Sequence, residues 1–239
     1  MGKYLLLFLS GFAFSFALTP VVRWLAIRLN ALDIPNERKV YDRPIPRLGG
    51  VAIFVALTLI LFFAFSPFAL VRNPFLSVGQ HWWKGYLPAA CIIVALGIFD
   101  DLRPLGARVK FLTQAPAACA AMYFGYMIDR LDLPWGTSIH LGLWGMPVTL
   151  LWIVGLTNAF NLIDRLDGLA NGVAFISSLT LMGIALLGQN IELALLCAAL
   201  AGCLLGFLPY NFHPASIFLG DSGSLFLGFT LAVLVYCNS

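Results

Sequence analysis

The chain has 239 residues, of which 61% are hydrophobic and 10% charged, with a net charge of +3 and a mean hydropathy of +0.92. A soluble domain runs nearer ~45–50% apolar and ~25% charged, so an ordinary soluble globule, a disordered chain and a disulfide-rich secreted module are excluded. So small a net charge also argues against a nucleic-acid partner. What remains is an integral membrane protein, with room for about eight helical spans of ~20 residues.

Apolar runs fall at 4–27, 49–71, 85–99, 111–128, 139–157, 172–188, 191–210 and 223–237. Backbone in lipid must satisfy its own hydrogen bonds, so runs of this length are expected to be helices. The expected fold is all-α: a polytopic transmembrane bundle of about eight spans, in one integral-membrane domain over residues 1–239. The first run follows Met1-Gly2-Lys3 and stays apolar past Pro20 with no small-residue cleavage site, so it reads as a span and not as a signal peptide.

The connections then alternate between two faces. One face collects 30–48, 100–110, 158–171 and 211–222; the other collects 72–84, 129–138, 189–190 and both termini. Arg23, Arg28, Arg38, Lys39, Arg43, Arg47, Arg103, Arg108, Lys110 and Arg165 belong to the first face, against Lys3, Arg72, Lys84 and Arg130 on the second. Basic residues favour the cytoplasmic side. The first face is therefore expected in the cytoplasm and both termini outside it.

Several features read as structural. Cys91, Cys119, Cys197, Cys203 and Cys237 lie in apolar runs without metal-ligand spacing, as packed small hydrophobes do. Gly202 and Gly206 form a small-x-x-x-small pattern that lets helices pack closely. Trp82, Trp83 and Tyr86 beside Lys84 suggest an interfacial belt, and Pro116, Pro134 and Pro147 should kink or bound helices.

The acids carry the chemistry. Asp33, Glu37, Asp42, Asp100, Asp101, Asp164, Asp167 and Asp221 share the basic face, and the last five sit at or near span ends. Carboxylates near hydrocarbon are costly and tend to be functional, although acids at helix starts also serve as caps. Asp100-Asp101 places two carboxylates side by side, where repulsion raises one pKa unless a cation is near. Such a pair suits a general base or a metal site, and Arg103, Arg108 and Lys110 follow closely enough to hold phosphate oxygens. In Asn158-Ala-Phe-Asn161-Leu-Ile-Asp164-Arg165-Leu-Asp167-Gly168, polar groups recur every third residue. That spacing puts neighbours on one helical face, and a row of amide and carboxylate oxygens suits a hard cation. Phe218-Leu-Gly220-Asp221-Ser222-Gly223-Ser224 opens the last run and offers backbone N–H groups to an anion, with Asp221 better suited to a metal. Pro44-Ile-Pro46-Arg47-Leu48-Gly49-Gly50 opens the second run, its prolines shaping the approach and its glycines allowing close packing.

Together, Pro46 to Gly50, Asp100-Asp101, Asn158 to Gly168 and Gly220 to Gly223, in this order, resemble the polyprenyl-phosphate N-acetylhexosamine-1-phosphate transferases. The likeness runs from about Asp33 to Phe229, and the Pro-Arg-Leu-Gly-Gly and Asn-Phe-His-Pro-Ala stretches are more similar to the N-acetylglucosamine branch, especially the teichoic-acid initiators, than to the peptidoglycan translocase. The resemblance implies a reaction in which undecaprenyl phosphate attacks the β-phosphate of a UDP-N-acetylhexosamine, giving undecaprenyl-diphospho-sugar and UMP. It implies Mg²⁺, with Mn²⁺ as an alternative, held by Asn161 and Asp221. Asp100 and Asp101 then position or deprotonate the lipid phosphate. Asn158, Asp164 and Asp167 line the nucleotide site, Lys110 holds phosphate, Phe218 stacks on uracil, and Arg43 and Arg47 contact the diphosphate. The expected location is the bacterial cytoplasmic membrane, with the site facing the cytoplasm.

Two departures stand out. Arg165 occupies a position where the family usually has Gly, where it can pair with Asp164 or Asp167, fill substrate space or add a phosphate contact. Family members are also expected to continue into further spans with a His-x-His-His loop, which His81, His140 and His213 do not form, so the chain reads as C-terminally short. Alternatives to the active transferase are an inactive family member binding lipid phosphate or a partner protein, a phospho-MurNAc-pentapeptide transferase, and a small transporter. Transporters place charge near the bilayer midplane, whereas these span interiors are almost free of it.

Overall fold

A computed structural model describes residues 2–35, 43–65, 82–133 and 135–235. Glu37, Arg38, Lys39, Asp42, Arg72, His81, Pro134, Cys237 and the side chains of Trp82 and Trp83, all singled out above, lie outside that description. Among the described residues there is one α-helix for each apolar run: α1 (Gly2–Arg28), α2 (Gly49–Phe65), α3 (Leu87–Leu102), α4 (Ala107–Tyr123), α5 (Gly145–Ile163), α6 (Leu169–Leu187), α7 (Ile191–Asn211) and α8 (Gly220–Leu234). Five stretches are long and apolar enough to cross a membrane: Gly2–Arg28, Lys84–Leu102, Gly142–Ile163, Leu169–Leu187 and Ile191–Asn211. Gly49–Ala64 and Gly220–Leu234 are shorter apolar helices, and α4, which opens on Arg108 and Lys110, fits neither description. The chain is an all-α, multi-pass membrane protein.

The boundaries shift in informative places. The fifth run does not start as a helix. Its first residues form β4 (Ser138–His140), paired antiparallel with β3 (Arg130–Asp132), and a 3-10 turn at Gly142–Trp144 leads into α5. Gly136 and Gly142, with φ of +86° and +50°, turn the chain where an L side chain would be strained. A smaller pair, β1 (Leu32–Asp33) with β2 (Ile45–Pro46), ties together the two ends of the connection between α1 and α2.

α8 lies at the centre, packed against α2, α3, α5 and α6, and every residue from Ser222 to Leu234 is buried. α7 packs against α1, α2 and α6, with Leu193 to Leu204 buried without a break. A helix apolar on all sides belongs in an interior, and these two form it. Between them and their neighbours the approach is backbone to backbone. A Cβ on Gly11 would stand 2.7 Å from the Ala199 carbonyl, and a Cβ on Gly202 or Gly206 would collide with the carbonyls of Phe8 and Phe12. The small-residue pattern read from the sequence is thus the contact between α1 and α7. Two polar contacts cross this interior: the Tyr86 hydroxyl lies 2.7 Å from Thr230 Oγ1, and the Asn171 amide donates to the Leu204 carbonyl at 3.1 Å.

This packing separates two chemically identical substitutions. Gly202→Ala meets backbone that cannot swing aside, so an overpacking loss of about 1–3 kcal/mol is expected. Gly183→Ala in α6 meets nothing within 4 Å and should leave stability unchanged or slightly raised. Thermal unfolding of both variants in the same detergent checks the contrast.

Candidate active site

Four connections of the basic face converge on the N-terminus of α8. The α1–α2 and α7–α8 connections are zipped together by backbone. Phe218 N donates to the Pro46 carbonyl at 2.8 Å, Gly49 N donates to the Phe218 carbonyl at 3.0 Å, and Gly50 N donates to the Leu219 carbonyl at 2.8 Å. The first N–H groups of a helix have no intrahelical partner, and those of α2 are satisfied here by the residues just before α8. Gly50 and Gly223 face each other with no room for a Cβ, and a Cβ on Gly97 of α3 would stand 2.6 Å from the Asp221 carbonyl. The glycines of both motifs therefore bring three helices to one point.

At that point the two adjacent aspartates of α3 have different partners. Asp101 accepts the backbone N–H of Asp221 on Oδ1 at 2.8 Å and that of Ser222 on Oδ2 at 3.0 Å. It caps α8 from 120 residues away in sequence, while Leu219, at the usual capping position, makes no side-chain cap bond. This corrects the expectation that these N–H groups await an anion: the two are already taken by a carboxylate of the protein. Asp100 instead accepts the Leu105 N–H at 2.6 Å and pairs with Lys110 Nζ at 2.6 Å.

Lys110, from the first turn of α4, also pairs with Asp221 Oδ2 at 2.6 Å. One ammonium thus sits between Asp100 and Asp221, and not between the adjacent Asp100 and Asp101. The other Asp221 oxygen accepts from the Asn161 amide at 2.6 Å, and that amide also reaches Ser224 Oγ at 3.0 Å. Asp100, Lys110, Asn161 and Asp221 therefore meet, contributed by α3, α4, α5 and α8.

Other expected residues lie around this cluster and not within it. Asn158 points toward α4, donating to Gln114 Oε1 at 2.6 Å and to the Val154 carbonyl at 2.7 Å. Gln114 is one helical turn beyond Lys110 and 1% exposed, and its Nε2 has no partner. Asp164 and Asp167 are not on the helical face that their spacing suggested. α5 stops at Ile163, Asp164 is its C-cap, and Gly168 turns the chain at a φ of +72° before α6. Asp167 accepts from the Ala215 N–H at 3.2 Å and lies 3.0 Å from His213 Nδ1. Arg47 is paired with Asp33, Arg43 is exposed, and Phe218 is half-buried beside α2. Arg165 is exposed, and among the described residues no ion pair joins it to Asp164 or Asp167.

Sequence reasoning passed over Gln114, Ser224, Asp33 and His213 as partners. Gln114 had a usable signal, a polar residue four positions from Lys110 in an apolar run. The others are joined to their partners only by the fold.

Burial beside Asp101 pushes the Asp164 carboxyl up to about 7, with Arg47 opposing and Asp167 adding to the rise. A carboxyl whose folded pKa lies above its unfolded value stabilises the fold at low pH and loses that contribution as pH rises toward the folded pKa. Stability should therefore fall between about pH 4 and pH 7 and then level off. Thermal unfolding of Asp164→Asn should show a flatter pH dependence than the parent, with the variant relatively more stable at pH 8.

The profile of glycosyl transferase family 4 matches residues 83–238. A probable undecaprenyl-phosphate N-acetylglucosaminyl 1-phosphate transferase of Bacillus subtilis is 42% identical over 218 residues, 91% of this chain and 58% of the relative. A decaprenyl-phosphate N-acetylglucosaminephosphotransferase of Mycobacterium tuberculosis is 37% identical over 225 residues, 90% of this chain and 55% of the relative. A phospho-N-acetylmuramoyl-pentapeptide-transferase of Thermoanaerobacter pseudethanolicus is 38% identical over 198 residues, 78% of this chain and 59% of the relative. The chain thus spans a little over half the length of these curated relatives. The polar motifs that meet around α8 fall largely within the matched region, and the chain belongs to glycosyl transferase family 4.

Proposed function

We propose that the chain transfers N-acetylglucosamine 1-phosphate from a UDP-sugar to undecaprenyl phosphate, releasing UMP, on the cytoplasmic face of the bacterial inner membrane. The observation that carries this reading is the Asp100–Lys110–Asp221–Asn161 cluster, built by four helices in a family 4 chain. A phosphate oxygen of the acceptor attacks the β-phosphorus of the donor. The bond from that phosphorus to the bridging oxygen breaks, and the oxygen leaves on UMP. Phosphoryl transfer needs positioning and charge neutralisation more than covalent help from protein groups. Lys110 is poised for both, since its ammonium is held by two carboxylates and can follow a phosphate oxygen that enters between them. Asp100 faces the same point and suits an incoming acceptor hydroxyl or phosphate.

The donor set suits a divalent cation. Two carboxylates share one ammonium, so the cluster keeps negative charge, and the oxygens that meet are hard donors. Asp221 and Asn161 would hold Mg²⁺, or Mn²⁺ in its place, and the ion would polarise the diphosphate and offset its charge. Asp164 and Asp167, with His213 behind Asp167, suit the ribose or uracil edge, and Phe218 suits the uracil face. Arg43, in the exposed approach to β2, is available to the diphosphate, and Arg47 would have to exchange Asp33 for it. The excess of basic residues on this face supports a cytoplasmic site, which also suits a soluble nucleotide-sugar donor.

The sugar assignment rests on the relatives: those named for N-acetylglucosamine match about nine-tenths of the chain, and the pentapeptide transferase matches less. The chain in lipid nanodiscs, given UDP-N-acetylglucosamine, undecaprenyl phosphate and Mg²⁺, is expected to release UMP, and to stay inert with UDP-MurNAc-pentapeptide. Asp221→Asn and Lys110→Met should each lower turnover by about 10²–10³-fold, the scale on which a preorganised charge contributes to a transition state. UMP release unaffected by both substitutions would overturn the assignment.

A further inference from the structure

Asp100 and Asp101 are adjacent, yet only Asp100 meets Lys110. Both oxygens of Asp101 are spent on the N–H groups of Asp221 and Ser222. Gly220, at a φ of +76°, leads into these two residues, and a Cβ there would stand 2.6 Å from Asp101 Oδ2. The carboxylate, the glycine and the first turn of α8 thus form one close-fitted joint. The side chain it orients is Asp221, whose oxygens face Lys110 and Asn161.

Resting on the transferase reading, we propose that Asp101 is a positioning residue and not the group that acts on the lipid phosphate. It clamps the N-terminus of α8 and thereby aims Asp221 at the site. The clamp has two parts that separate it from a helix start in general. A carboxylate from another helix replaces the local cap, and it supplies two acceptors where a Ser or Asn cap supplies one. A carboxylate at a helix N-terminus is also favoured by the helix dipole. Turning it toward substrate would leave two N–H groups without partners, that of Ser222 buried and that of Asp221 partly buried, a costly arrangement.

Asp101→Asn, Asp101→Ala and Gly220→Ala test this in lipid nanodiscs. Each is read by hydrogen–deuterium exchange over residues 219–226, by Mg²⁺-dependent UMP release and by thermal unfolding. Asn keeps one acceptor oxygen and Ala keeps none, so a clamp fails in steps. Exchange at Asp221 and Ser222 is expected to accelerate about tenfold in the Asn variant and further in the Ala variant, with turnover falling in the same order. Gly220→Ala leaves the Asp101 charge in place yet crowds the joint, and should reproduce the faster exchange and the lost turnover. A group acting directly on substrate would behave otherwise: Asn and Ala equally inactive, with α8 protected as in the parent. That pattern overturns the proposal, as does faster exchange with parental turnover. If the parent itself releases no UMP, the transferase reading fails on its own account, and unchanged exchange across the series would still sink the clamp.

Discussion

The first turn of a buried helix must give its backbone N–H groups to some acceptor, and in this bundle that requirement organises the site. α8 is enclosed by four other helices, and Ser222 in its first turn is buried. Asp101 meets it from α3 with both oxygens. Because those bonds go to Asp221 and Ser222, the same contact that satisfies the helix also sets the direction of the Asp221 carboxylate. Structural and chemical demands are answered by one pair of hydrogen bonds.

That contact exists only because the helices come unusually close. Gly50, Gly97 and Gly223 remove the side chains that would hold α2, α3 and α8 apart. The backbone zipper between Pro46–Gly50 and Phe218–Leu219 then ties the start of α2 to the start of α8. Small residues serve the far side of the bundle as well, where α1 meets α7 through Gly11, Gly202 and Gly206. In lipid, apolar surface alone does not drive helices together, so dense packing through small residues has to. The polar cluster is a consequence of that density: Lys110 and Asp221 are 111 residues apart in sequence and 2.6 Å apart in space.

Charge is arranged in the same economical way. Asp100 and Asp221 divide one ammonium, Asp101 accepts two N–H groups of a helix end, and Asp167 is engaged by His213 and the Ala215 N–H. Burial raises the Asp164 carboxyl to about 7, with Arg47 opposing the rise. These four sites answer the same desolvation problem in different ways.

The sequence by itself determined the class of fold, the number of helical runs and the set of motifs that share one face. Each of these depends on local composition and on alternation across a membrane, which a linear reading can follow. It also marked Asp100, Lys110, Asn161 and Asp221, since polar groups at the ends of apolar runs stand out. Tertiary structure alone decided which of two neighbouring aspartates meets the lysine, that the N–H groups of α8 are already occupied, and that Asn158 turns toward Gln114. It also ended α5 before Asp164, so that a regular spacing of three did not become one helical face. The reason is physical. Hydrogen-bond partners across a bundle are chosen by where close-packed helices meet, and residues as far apart as Asp101 and Asp221 carry no local signal of that meeting.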